Sequence, residues 1–291
     1  MKKRILMALT LMVSIAMLAG CGPDNTNSIS ASGSSALQPL VQKVADLYKI
    51  KNPDISFTIN GGGSGVGLKN VSAGTVNIGN SDVYANEKLS ATEAATLVDN
   101  KVCVVGVGVV VSNDVALNIS NITSKQLKDI FLGKITNWKQ IEPSAPSKSI
   151  VIVNRPASSG TRALFVKWGI GGETITEGDL SLQTDDSNAL VETISQTKGS
   201  IGYLAFSYVY KEENQTKIVP LAIDGVDATN ENIYNNTYKI WGYEHMYTKG
   251  APNATVQKFL DFMKSTSVEG TIEELGYGAI SKLNAAAAGS R

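Results

Sequence analysis

Asn154-Arg155-Pro156-Ala157-Ser158-Ser159-Gly160-Thr161-Arg162 follows the β-like run 149–153 and leads into the apolar segment Ala163–Lys167. A strand, a small hydroxyl-rich turn and a helix start come in that order. The first N–H groups of a helix have no internal acceptor and carry the positive end of the helix dipole, so such a turn is well suited to hold an oxyanion. Arg155 adds a planar fork of charged donors at its mouth. Taken alone, the run is more simply read as an ordinary Ser/Thr cap beside a surface arginine.

The pattern recurs, and the recurrence favours a shared site. Gly33-Ser34-Ser35-Ala36 follows the short Ser28–Ala31 and precedes Leu37, Leu40, Val41, Val44, Ala45, Leu47 and Tyr48, spaced to cover one helical face. Ser34 or Ser35 is the expected cap, with Pro39 tolerated near the start. Gly61-Gly62-Gly63-Ser64-Gly65 follows the alternating Ile55–Ile59 and precedes a third helix over Val66–Ala73. Successive glycines let backbone approach a ligand closely. Strands of one sheet share an end, so three such turns can converge on one small anion.

Asp82, in Asn80-Ser81-Asp82 after the short strand Val76–Gly79, sharpens the expectation. A turn aspartate is ordinarily solvated. Facing the donor turns instead, an ionised carboxylate could only accept hydrogen bonds. It would favour an oxyanion that carries a proton, as phosphate does at neutral pH, and repel sulfate, which does not.

Met1–Arg4, the apolar Ile5–Met17 and then Leu18-Ala19-Gly20-Cys21 have the layout of a secretory signal. The apolar stretch is short for a spanning helix, which needs about 20 residues. The cleavage end resembles the lipobox of bacterial lipoproteins, which implies a lipidated Cys21 after a signal at 1–20, a tether over 21–27 and a place on the outer face of the cell membrane. Cys103, inside the apolar run Val102–Val111, reads as a small hydrophobe in a central strand. Without residues 1–20 the chain has 23 Lys+Arg against 26 Asp+Glu, so there is no basic surplus for nucleic acid. An anion would be captured by local geometry and not by a global field.

Strand and helix patterns alternate throughout, which argues α/β layers. Thr123 caps a helix through Phe131, Asp186-Ser187 opens one over Ala189–Gln196, and Ile201–Leu204 is a strand. Tyr238–Trp241 reads as a strand and Val256–Met263 as an amphipathic helix. The closing Ala285–Arg291 is low in complexity, reads as a loose tail or an expression scar, and is left out of the expected fold.

Gly33-Ser34-Ser35-Ala36-Leu37-Gln38-Pro39-Leu40, Gly61–Gly65, Asn77–Asp82, Ile135–Trp138 and Arg155 with Ser158–Arg162 together resemble the phosphate-binding lipoproteins of bacterial phosphate ABC importers. The similarity runs from about Ser28 to Leu283 with the motifs in the family's order. It implies a type II periplasmic-binding-protein fold: two α/β lobes joined by two crossing strands, with a ligand cleft between. The first lobe would hold 28–105 and 239–284, the second 106–238. Carried over position by position, the phosphate contacts fall on Ser35, Ala36, Ser64, Asp82, Arg155, Ser159, Gly160 and Thr161. Some members have Thr where this chain has Ser35, and some have two serines in the glycine turn, where Gly63 offers only its amide. The resemblance also implies inorganic phosphate and transmembrane permease subunits as partners, a monomer, and membrane contact only through the lipid anchor.

Other classes fit less well. A receptor for sulfate, molybdate or arsenate could use the same helix starts, although Asp82 penalises fully deprotonated ligands. A hydrolase with Ser159 as nucleophile needs a nearby base, and the only histidine is His245, which reads as a packing or interface residue. Ala157-Ser158-Ser159-Gly160 lacks the glycine pattern of a nucleophile elbow. A P-loop fit from Gly62 puts Leu68 where Lys is required, and a dinucleotide fit from Gly61 puts Val66 in the third glycine slot. No metal-ligand or cofactor motif is present. A lipoprotein used for adhesion would be favoured only by failure to bind any oxyanion.

Overall fold

The computed structural model describes residues 27–176, 180–181 and 185–291; the expected signal segment and Cys21 lie outside the described residues. In chain order the strands are β1 (Ser28–Gly33), β2 (Ser56–Gly62), β3 (Ile78–Ser81), β4 (Leu97–Val98), β5 (Lys101–Ser112), β6 (Asn121–Ile122), β7 (Val151–Asn154), β8 (Leu180–Ser181), β9 (Ser200–Ala205), β10 (Ile218–Pro220), β11 (Ala222–Ile223) and β12 (Trp241–Lys249). The main sheet runs β2-β1-β3-β12-β5-β9-β7-β8, with helices between its strands.

β5 explains how one sheet serves two lobes. It is rich in valine and buried along nearly its whole length, as a strand covered on both faces should be. Lys101–Gly106 pair antiparallel with β12, whereas Val107–Val111 pair antiparallel with β9. β5 therefore crosses from one set of strands to the other, the change of partner falling between Gly106 and Val107, and the chain returns beside it through Ile240, whose carbonyl accepts from the Val107 N–H, into β12. On one side β1, β2 and β3 are parallel; on the other β7 is parallel to β9 and β8.

Of three apolar clusters among the described residues two are large, and the largest spans the junction through Ala36, Val83 and Trp241. One gathers Ile29, Leu40, Val44, Ile78, Met246, Phe259 and Leu260, and takes Cys103 as a packed thiol with no exposure. The other gathers Val107, Val109, Phe131, Val153, Phe165, Leu190 and Tyr203. The helix Gln38–Lys51 shows the local logic. Leu40, Val41, Val44, Ala45 and Tyr48 form its buried face, Pro39 sits in the first turn, and Lys49 and Lys51 sit in the last, where the dipole favours cations.

Several details depart from the sequence expectation. The cap position of Gln38–Lys51 is Leu37, with no side-chain cap; Ser34 instead accepts from the Leu37 N–H at 3.0 Å, which fixes the turn one step earlier and leaves Ser35 facing the other lobe. Tyr238–Ile240 are not strand, and β12 begins only at Trp241. There β5 is already turning to β9, and Tyr238 spends its hydroxyl on the Val107 carbonyl at 2.7 Å.

The closing segment is also not loose. Asn284 caps the short helix Ala285–Ala288, Ala287 is fully buried, and the Arg291 guanidinium lies 3.7 Å from the Trp168 ring centroid and 4.2 Å from that of Trp241. Arg291 Nε also donates to the Trp241 carbonyl at 2.9 Å. Alanine's helix propensity and two aromatic faces for one cation give this stretch a docked structure that its composition conceals.

Candidate functional site

Four strand ends meet where the two lobes touch. β1 leads into Gly33–Ala36, β2 into Gly63-Ser64, and β3 into Asp82, all from the first lobe. β7 leads into Arg155 and the turn 155–161 from the second. Ser35, Ala36, Ser64, Asp82, Arg155, Ser159, Gly160 and Thr161 are all buried here, none more than 4 % exposed where a value applies.

Arg155 is the hub and has no solvent exposure. Its Nε donates to Asp185 Oδ1 at 2.6 Å and to Ser159 Oγ at 3.1 Å, and its Nη2 reaches Ser35 Oγ at 3.1 Å and Ser187 Oγ at 3.2 Å. Nη2 also lies 2.5 Å from Asp185 Oδ1. Nη1 is buried without a hydrogen-bond partner. A buried guanidinium donor left unbonded is costly, so this atom marks a direction in which an acceptor is wanted. The arm is set from behind: the Arg155 N–H donates to Asn154 Oδ1, which also accepts from the Tyr203 hydroxyl at 2.6 Å.

Across the junction, the Ser64 hydroxyl donates to Asp82 Oδ1 at 3.2 Å and accepts from the Asp82 N–H at 3.0 Å. Thr161 Oγ1, from the other lobe, donates to Asp82 Oδ2 at 2.7 Å. Burial, the largest influence, raises the Asp82 pKa against the opposing effect of its hydroxyl donors. Gly160 packs so tightly that a Cβ there would come within 2.1 Å of Ser64 Oγ and 2.9 Å of Asp82 Cβ. Gly63 has φ +96°, a left-handed conformation suited to glycine, and a Cβ on it would press on Asp185.

Four residues that the sequence did not single out belong to the same cluster. Asp185 cancels the charge of Arg155, so the site offers oriented donors with little net positive charge. Ser187 opens the helix Ser187–Gln196 and bonds Ser35 Oγ across the lobes at 3.1 Å. Glu244 on β12, opposite Cys103, is fully buried with neither carboxyl oxygen hydrogen-bonded. Burial first, then the neighbouring Asp82 charge, pushes its pKa well above the ordinary glutamate range. A carboxyl in that setting takes up a proton in preference to holding an unpaired charge. Lys88, just after the 3-10 turn Ala85–Glu87, donates to the Ala157 carbonyl at 2.7 Å and the Ser159 carbonyl at 3.2 Å.

His245 has no part in this cluster. It is buried against Tyr84 and Tyr247 and bonds Asp99 at 2.8 Å, so it is not placed as a base for Ser159. Ser159 instead caps its own helix by accepting from the Arg162 N–H at 3.1 Å. Among the described residues no His/Cys/Asp/Glu group could hold a metal ion. Two cavities flank the cluster. One of about 790 Å³ lies between Gln38 and Tyr208, and one of about 160 Å³ reaches Asp82 from the side of Tyr243 and Trp168.

Residues 22–267 match the model of the PBP superfamily domain. The chain is 42% identical over 289 residues to the phosphate-binding protein PstS of Bacillus subtilis, covering 94% of this chain and 92% of that protein. Among solved structures, it superposes with a TM-score of 0.77 and 29% identity on a Clostridium perfringens protein assigned as a phosphate ABC transporter substrate-binding protein and crystallised with bound phosphate; 87% of this chain and all of that one are covered. An ABC-type phosphate transport receptor from Vibrio cholerae gives a TM-score of 0.65 at 25% identity, over 86% of this chain and 98% of that one. A two-lobed α/β architecture with crossing strands, a family match over most of its length and this degree of identity make the chain a member of the periplasmic-binding-protein superfamily, in the family of the phosphate-binding proteins.

Proposed function

We propose that this chain is an extracytoplasmic receptor that binds inorganic phosphate between its lobes and delivers it to an ABC importer, with no catalytic step of its own. The single observation that carries this is the buried junction of Arg155, whose Nη1 lacks a partner, with Asp82, an acceptor held by hydroxyls from both lobes. Ser35, Ala36, Ser64 and Asp82 contact the ligand from lobe 28–105 with 239–284. Arg155, Ser159, Gly160 and Thr161 contact it from lobe 106–238. The first N–H groups of the helix starting at Gly160 supply donors without intrahelical acceptors. Phosphate bridging both sides stabilises the closed form in proportion to its extra affinity for that form. A charge-assisted hydrogen bond contributes about 1.5–3 kcal/mol net, so a few of them suffice for micromolar affinity. The lipid anchor at Cys21, a monomeric state and the permease subunits as partners belong to the same proposal and rest on the sequence resemblance.

Asp82 is the discriminating group. Ionised, it accepts the proton that phosphate carries and meets sulfate with two acceptors face to face. Asp82→Asn is expected to narrow the phosphate-over-sulfate preference by about a hundredfold, the scale of one buried unpaired charge. Competition calorimetry with the two anions measures it, and unchanged discrimination would remove Asp82 from this role. Burial raises the pKa of Asp82, so the preference is present above that raised value and is lost as pH falls through it.

A further inference from the structure

The first lobe grips the binding turn from behind by three successive carbonyls. Lys88 Nζ donates to the carbonyls of Ala157 and Ser159, at 2.7 and 3.2 Å, and the Gly65 N–H donates to the Ser158 carbonyl between them at 2.9 Å. A surface lysine usually wanders or pairs with a nearby acid. Here the adjacent acid Glu87 lies instead 3.7 Å from Lys167, and the described bonds of Lys88 both go to the turn.

The peptide plane gives this grip a consequence for the ligand. In a trans peptide the N–H points opposite to the C=O of the same unit. The Gly160 N–H therefore points away from the Ser159 carbonyl that Lys88 holds, out of the start of the helix Gly160–Leu164, at a residue packed against Ser64 and Asp82 of the opposite lobe. Hydrogen bonding at a carbonyl also polarises its peptide unit and strengthens the N–H as a donor.

We propose that Lys88 is a positioning residue of the anion site: a clasp from the first lobe that holds the 157–159 carbonyls and so aims the Gly160 amide at the bound anion. This deepens the phosphate-receptor reading and rests on it. Lys88 does not touch the anion, and its contacts exist only with the lobes together. Its loss should thus speed ligand release and leave capture by the open form alone.

The experiment is stopped-flow measurement of phosphate association and dissociation by tryptophan fluorescence, on the full chain as wild type, Lys88→Met and Lys88→Arg. Loss of a charge-assisted clasp predicts dissociation about tenfold faster in Lys88→Met, with association within about twofold of wild type. Lys88→Arg, which keeps charged donors, should recover most of the slow release. Ligand-free melting should be alike in all three, since neither core contains Lys88. A Lys88→Met dissociation rate within twofold of wild type would overturn the clasp, as would a defect confined to association, which would mark long-range attraction instead. Failure of Lys88→Arg to recover slow release would also overturn it. If the wild type itself binds no phosphate, the receptor reading falls and the clasp with it; normal wild-type binding beside an unaltered Lys88→Met removes the clasp alone.

Discussion

Arg155→Met should weaken phosphate binding by at least about tenfold, and it should also destabilise the fold, for a separate reason. The guanidinium is the hub of five contacts on Asp185, Ser159, Ser35 and Ser187 and has no solvent exposure. Losing a charged donor costs about 1.5–3 kcal/mol of binding, a factor of ten or more. Losing it from a buried ion pair leaves Asp185 uncompensated, and breaking such a pair costs about 3–5 kcal/mol of stability. The two effects separate in the double variant Arg155→Met/Asp185→Asn, in which no carboxylate is stranded. Thermal melting should return toward wild type in the double variant, while calorimetry still finds weak binding. Wild-type affinity in a folded double variant would take Arg155 out of the site.

Gly160→Ala is expected to be nearly as damaging to binding, with a different signature. One added methyl would sit 2.1 Å from Ser64 Oγ, on a side chain of the opposite lobe that is fully buried and tied to Asp82. Neither neighbour is the far end of a flexible chain, so the lobes must part to make room. Overpacking of this kind costs about 1–3 kcal/mol, which falls on the closed form alone and lowers affinity roughly ten- to a hundredfold. Gly160 lies at the start of a right-handed helix, where alanine is at home, so the open lobes should melt as in wild type. Small-angle scattering with saturating phosphate should show a larger radius of gyration than closed wild type. A closed, tightly binding Gly160→Ala would mean that the lobes do not meet at this residue.

The turns of the candidate site are legible in the sequence because their signals are local. Proline, glycine and serine types at fixed offsets between an apolar run and a helical face announce a strand, a turn and a helix start whatever the rest of the chain does. Asp82 was legible for the same reason, at the end of a short strand. The residues whose roles are not legible depend on through-space partners. Asp185 precedes a normal Asp186 cap and becomes a site residue only because Arg155, thirty positions earlier, reaches it. Trp241–Lys249 does not read as a strand from sequence because Glu244 and His245 interrupt its apolar character. His245 is buried with Asp99 as its hydrogen-bond partner, and Glu244 is buried with neither carboxyl oxygen hydrogen-bonded. Lys88 looks like any exposed lysine until the lobes are set together. The tail Ala285–Arg291 is not legible as a docked segment because a four-alanine run carries no pattern and its docking depends on Trp168 and Trp241.

The low net charge of the hub has a functional corollary. With Asp185 beside Arg155 and an acceptor in Asp82, the proposed site would attract an anion less by charge than by fixed donors matched to its oxygens. That arrangement favours selectivity over mere electrostatic capture, because an ion that lacks a proton for Asp82 faces a repulsive contact it cannot relieve.

Isothermal titration calorimetry of the purified wild-type protein at neutral pH, with phosphate and sulfate titrated separately, tests this most directly. Saturable one-to-one phosphate binding, micromolar or tighter, with sulfate at least a hundredfold weaker is the expected result, given several charge-assisted bonds and about 3 kcal/mol from the Asp82 contact. Equal affinity for the two anions, or no heat with phosphate, would contradict it.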